Sequence, residues 1–182
     1  MSNQIRICHE AYPVPSLQNV VLRAPELKDG MAVFRLVERC PPLDTNSSYC
    51  NLLQCGHFAD TSVAADIDGE LVGFISGYLV PERTDTLFIW QVAVAEQARG
   101  LGLASRMLAQ LLIRLASQDI NYLETTITQD NQVSWALFKS IAKKLSADFQ
   151  SSAWLDREAH FDGLHHSEML VRIGPFRKLR EM

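Results

Sequence analysis

The chain has 182 residues, 47% hydrophobic and 21% charged, with a formal net charge of -4. That is enough for one domain with a real core, short for two, and too apolar for a disordered chain. A mildly acidic chain lacks the cationic field that nucleic-acid phosphates require, and no apolar run approaches the roughly 18 residues of a bilayer span, so nucleic-acid and membrane partners are not expected.

In chain order, residues 1–19 carry Tyr12-Pro13-Val14-Pro15 without periodicity and read as an extended leader. They show no charged-then-apolar export signal, so a cytoplasmic protein is expected. Val20 to Arg23 is a short strand, and Pro25-Glu26-Leu27 suits a first helical turn. Met31, Phe34, Leu36 and Val37 continue a helical face to Arg39, where Pro41-Pro42 ends it. Leu43 to Ser48 is a polar loop and Tyr49 to Phe58 a second short helix. Ser62 to Ala65 and Leu71 to Val80 read as strands joined at Asp68-Gly69, and Thr86 to Val94 as a third. Leu103, Met107, Leu108, Leu111, Leu112 and Leu115 recur on one helical face. Tyr122 to Thr128 is a strand, Asn131 opens a helix carrying Val133, Leu137, Ile141 and Leu145, and strands close the chain near Asp148–Trp154 and Glu168–Ile173. This order predicts an α/β (α+β) domain over residues 20–174. It is a mixed, mostly antiparallel sheet flanked by helices, with residues 175–182 as a tail.

The most informative stretch is Gln97-Ala98-Arg99-Gly100-Leu101-Gly102-Leu103-Ala104, between a strand and a leucine-rich helix. Two glycines let the backbone turn and approach a ligand closely, and successive N–H groups at a helix N-terminus form an anion cradle to which Arg99 can add a charge. A P-loop needs Gly-Lys-Ser/Thr, which is absent. A dinucleotide fingerprint needs a third Gly or Ala where Ser105 stands, and a longer βαβ chain. The pattern Gln/Arg-x-x-Gly-x-Gly/Ala of a coenzyme A pyrophosphate loop fits in full. A glycine turn that merely joins strand to helix is the bland alternative.

On these residues the chain resembles the Gcn5-related N-acetyltransferase superfamily from about Val20 to Ile173. The resemblance implies an acyl-CoA N-acyltransferase fold and acetyl-CoA as co-substrate. The strand before the loop would be bulged and splayed, with Val92 and Val94 along the pantetheine. The Val92 backbone N–H would hold the oxyanion, and Asn131 and Ser134 would contact the cofactor arm. Asn131 also suits a plain N-cap. The tyrosine acid of many members would fall at Phe138, which cannot donate a proton.

Three further stretches, Pro41–Tyr49, Trp90–Val94 and Phe161–Glu168, resemble the L-2,4-diaminobutyrate acetyltransferases, which acetylate the 4-amino group on the way to the compatible solute ectoine. The resemblance implies a small diamino acid as partner and a homodimer. A diamino acid brings an ammonium that Asp44 and Glu168 can hold, and a carboxylate that Tyr49 and the Trp90 indole can reach. His165 suits a pocket or base residue. Asp44 can equally cap the following helix, and Trp90 can be core. His160, His165, His166 and Glu168, or Cys40, Cys50, Cys55 and His57, imitate metal clusters, but neither set has a metal site's tight spacing, so no metal is expected. With Cys8, the cysteines number four and read as thiols. A transferase for another small amine, and an acyl-CoA-binding sensor without catalysis, remain open.

Overall fold

The computed structural model describes residues 19–177. Seven strands form one sheet in the order β1 (Val20–Arg23), β2 (Val63–Ile67), β3 (Glu70–Val80), β4 (Arg83–Val94), β5 (Tyr122–Thr128), β7 (Glu168–Ile173) and β6 (Phe149–Leu155). Neighbours are antiparallel except β4 and β5. The helices are α1 (Gly30–Glu38), α2 (Ser48–Gly56), α3 (Leu103–Arg114), α4 (Gln132–Leu145) and α5 (Arg157–Phe161). The mixed, mostly antiparallel sheet expected from the sequence is the one observed. The leader, residues 1–18 of it, lies outside the described residues.

Local chemistry moves several boundaries. The first helix does not run from Pro25. Leu27–Asp29 form a 3-10 turn, and α1 starts at Gly30. Asp29 accepts the Glu26 N–H at 2.7 Å and a two-pronged contact from Arg23 at 2.6 and 3.0 Å. Arg23 also reaches Asp66 on β2 at 2.6 Å, so one guanidinium ties the helix start to the sheet edge. The Asp68-Gly69 hairpin turn is present, with positive φ of 51° and 83°, as such a turn demands. α5 was not expected: five residues are too few to show periodicity. Phe176, placed in the tail by the sequence reading, is buried, and its N–H donates to the Asn121 carbonyl at 2.9 Å.

Both faces of the sheet are covered. Adjacent β3 residues Phe74 and Ile75 are each fully buried, although their side chains point to opposite faces. α3 covers one face, where a side chain at Gly73 would meet Met107 at 3.0 Å. Ile75 shares that face, and α4 packs beside α3. α1 packs against β3 and β4, covering the other face together with α2, which lies against it.

Candidate active site

Two irregularities in β4 make the site. Ser76 on β3 pairs with Gln91, but the next residue, Gly77, pairs with Ile89, so Trp90 is an extra residue bulged out of the ladder. On its other side, β4 pairs with β5 only from Thr86 to Ile89. Beyond Ile89 the two parallel strands part. The Ala95 N–H donates to Val72 on β3 at 2.8 Å, so alternation turns the N–H and C=O of Val94 and Val92 to the parted edge. The Val94 carbonyl accordingly leaves the β3 ladder and accepts from the Cys40 thiol at 3.4 Å and Arg99 Nε at 3.0 Å.

A cleft of about 640 Å³ occupies the parting. Its lining takes consecutive residues from both strands, Phe88 to Val92 and Thr125 to Thr128. Consecutive strand residues face opposite ways, so the cleft passes through the sheet rather than resting on it. On the α3/α4 side its walls include Val92, Asn131, Ser134 and Phe138. On the α1/α2 side they include Tyr78, Trp90, Asp44, His165 and Glu168.

The α1/α2 mouth is built by long-range contacts. Gln91 holds the loop before α2: its Nε2 donates to the Asp44 carbonyl at 3.0 Å, and its Oε1 accepts from Asn46 at 3.2 Å. Asp44 then meets His165 from the β7 side, Oδ2 to Nε2 at 3.0 Å. His165 Nδ1 lies 2.8 Å from the His166 carbonyl and 4.0 Å from Glu168. A carbonyl and a carboxylate only accept, so these contacts favour the doubly protonated ring over the neutral one. The carbonyl contact, followed by the charge of Asp44, raises the His165 pKa above the usual histidine value, against the opposing effect of burial. Phe161 of α5 packs on the His165 ring at 4.7 Å. Among the described residues no lysine or arginine lines the cleft, whereas Asp44 and Glu168 do at this mouth and Asp130 does beside α4. Such a mouth attracts cations.

Asp44 does not cap α2; the Ser47 hydroxyl does, accepting the Cys50 N–H at 3.1 Å. Trp90 is not a core residue: it is 44% exposed and stands edge-on to Tyr78 at 6.5 Å. Tyr49 is 69% exposed on the first turn of α2 and is not among the residues lining the cleft. His160 spends its Nδ1 on the Asp156 N–H at 2.9 Å, at the start of α5. Cys40, Cys50 and Cys55 are free thiols, and burial pushes Cys55 up to about 12. Among the described residues no cluster of His, Cys, Asp or Glu is arranged to hold a metal ion. Nor is any helix there long and apolar enough to cross a membrane.

The glycine loop lies between β4 and α3. Glu96–Ala98 make a 3-10 turn, and Gly100 and Gly102 have positive φ of 75° and 78°. A Cβ at either would meet nothing within 4 Å, so open space lies over the backbone, as a cradle for an external anion requires. Ala98 and Leu103 are buried in the core, which leaves the loop's backbone, Gln97, Arg99, Leu101 and Ala104 for a ligand. Asn131 caps α4, its Oδ1 accepting the Ser134 N–H at 3.1 Å. Gln91, Tyr78 and Thr126 were not singled out in the sequence. Gln91 lay inside a quoted stretch, but its tether to Asp44 spans 47 positions and leaves no local signal.

Residues 31–142 match the model of the acetyltransferase (GNAT) family. The L-2,4-diaminobutyric acid acetyltransferase of Methylotuvimicrobium alcaliphilum is 54% identical over 91% of this chain and 96% of its own length. The chain belongs to the GNAT acetyltransferases, among the L-2,4-diaminobutyric acid acetyltransferases. The enzyme of that name from Vibrio parahaemolyticus is 51% identical over 84% of each chain. The diaminobutyrate acetyltransferase of Paenibacillus lautus, solved with L-2,4-diaminobutyric acid and coenzyme A, superposes with a TM-score of 0.83 at 38% identity, covering 90% of this chain and 98% of that one. The ribosomal-protein-S18-alanine N-acetyltransferase of Escherichia coli shares the fold at a TM-score of 0.69 and 16% identity.

Proposed function

We propose that the protein transfers an acetyl group from acetyl-CoA to the 4-amino group of L-2,4-diaminobutyrate, giving N4-acetyl-L-2,4-diaminobutyrate, a step toward ectoine. The observation that carries this reading is the cleft through the sheet. One mouth opens toward α4, on the face where the glycine loop starts α3, and the other is acidic. Acetyl-CoA supplies the thioester. The loop Gln97–Ala104 would take its pyrophosphate, with Arg99 adding charge. The parted edge of Val92 and Val94 would bond the pantetheine amides, and Asn131 and Ser134 would flank the arm.

At the other mouth, Asp44 and Glu168 would hold the α-ammonium, with His165 between them. Trp90 and Tyr78 would bound the carboxylate end with neutral donors, consistent with a cleft that no lysine or arginine lines among the described residues. Fixing that end presents only the 4-amino group to the thioester, so regioselectivity follows from position. An alkyl ammonium with a pKa of about 10.4 must lose a proton before attack. Neutral His165, standing at the far end of the bound diamine, would take that proton through an intervening water. The Val92 N–H, turned to the parted edge, would receive the oxyanion.

The thiol cysteines fit a cytoplasmic enzyme, and the family resemblance fits a homodimer; both belong to this proposal. Thiol release from acetyl-CoA with L-2,4-diaminobutyrate, run beside lysine, ornithine and spermidine, tests it. Fast release with diaminobutyrate alone is expected. Release only with another amine would replace the substrate, and none with any amine despite cofactor binding would indicate a sensor.

A further inference from the structure

The acceptor amine enters at the acidic mouth, so the leaving sulfur departs on the opposite, α3/α4 side of the sheet. Helix α4 itself offers no acid there. Phe138 is buried and apolar, and no ionisable side chain of α4 lines the cleft. Ser134 lies one helical turn before Phe138 on the same face of α4 and also lines the cleft. Its N–H is taken by Asn131 at 3.1 Å, but among the described residues its hydroxyl is committed to no other group. It stands in the first turn of a 14-residue helix, at the positive end of the helix dipole.

We propose that the Ser134 hydroxyl donates a hydrogen bond to the departing coenzyme A sulfur, so that α4 stabilises a thiolate where a tyrosine acid would have protonated it. This rests on the acetyltransferase reading above. In the step, the amine nitrogen forms the C–N bond and the C–S bond breaks. The bonding pair goes to sulfur, and the amine's surplus proton passes to the base and then to water. Sulfur leaves as the anion, held by an O–H donor and the helix terminus, the setting that lowers thiol pKa values in proteins. The carboxylates of the cleft, Asp44, Asp130 and Glu168, act in the opposite sense. Asp130, beside α4, is engaged by Thr128 and faces His166, which hold its own pKa low.

The test is the titration of coenzyme A bound to the protein, followed by thiolate absorbance. Its thiol should titrate about one unit below that of free coenzyme A, a tenfold effect. Ser134→Ala should return it upward and lower turnover by a larger factor than it raises KM for acetyl-CoA, and Ser134→Thr should keep it low. A wild-type thiol that titrates no lower than the free one, or a value unmoved in S134A, overturns the proposal and leaves the acetyltransferase reading intact. Failure of the wild type to bind coenzyme A would instead defeat that reading. A second measurement needs no variant: the affinity for coenzyme A relative to desulfo-coenzyme A should rise with pH through the thiol range. A flat ratio contradicts the proposal.

Discussion

Asp44 and His165 lie 121 positions apart in the sequence and meet at 3.0 Å across one mouth of the cleft. The contact joins the loop before α2 to the loop before β7, the two segments that flank the acidic end of the site. Removing the Asp44 charge should cost substrate recognition and spare the cofactor. Asp44→Asn is expected to raise KM for the diamine roughly tenfold or more, the worth of one charge-assisted hydrogen bond. Affinity for coenzyme A, read by calorimetry, should not move.

The same pair predicts a pH response. His165 has its pKa raised in the fold, first by its bond to the His166 carbonyl and then by Asp44. A raised value means that its contribution to stability is full below the ordinary histidine value of 6.5 and is lost as pH rises through the folded value. The His165 ring signals, followed by NMR, should titrate above 6.5, and Asp44→Asn should bring the midpoint down. A midpoint indifferent to Asp44 would show that the contact carries no electrostatic weight.

Glu124 supports the other end of the sheet. Its side chain is 2% exposed, and Arg83 grips it at 2.6 and 2.9 Å while Arg172 bonds the same carboxylate from β7. Burial alone would raise its pKa, but the two guanidinium groups outweigh that and hold it low. Its stabilising contribution is therefore present above the ordinary value of 4.5 and is lost as pH falls through the lower folded value. Glu124→Gln leaves two arginines facing an uncharged amide and should cost about 3 kcal/mol at neutral pH. Thermal or urea unfolding should show that deficit shrinking as the pH falls below 4.5.

The glycine loop predicts a separation of fold from binding. Gly100 and Gly102 lie outside the core with φ near that of a left-handed helix, where a side chain costs about 1–2 kcal/mol. Replacing both with valine also fills the open space over the loop. Coenzyme A binding should be abolished in calorimetry while circular dichroism still reports a folded sheet.

Much of this was readable from the chain. The glycine loop announces itself because conformation and residue type coincide there, and the leucine-rich helix after it has an unmistakable period. The strand meander was visible through its alternation and the Asp68-Gly69 turn. What stayed hidden depends on distant partners. The start of α1 is set by Asp29, whose grip on Arg23 and the Glu26 N–H no propensity encodes. α5 is five residues long and rests on the Asp156 side chain accepting the Glu158 and Ala159 N–H groups, a cap too brief to stand out. The tether of Gln91 to the Asp44 loop, and the placing of Tyr78 beside Trp90, arise from the β4 bulge, and a bulge is a property of pairing between strands.

The central claim is that the acidic mouth fixes one end of a diamino acid and presents the other to the thioester. NMR of the product formed from acetyl-CoA and L-2,4-diaminobutyrate tests it most directly. The acetyl group is predicted on the 4-nitrogen, with the 2-amino group free. Acetylation at the 2-nitrogen, or a mixture of the two, would contradict it.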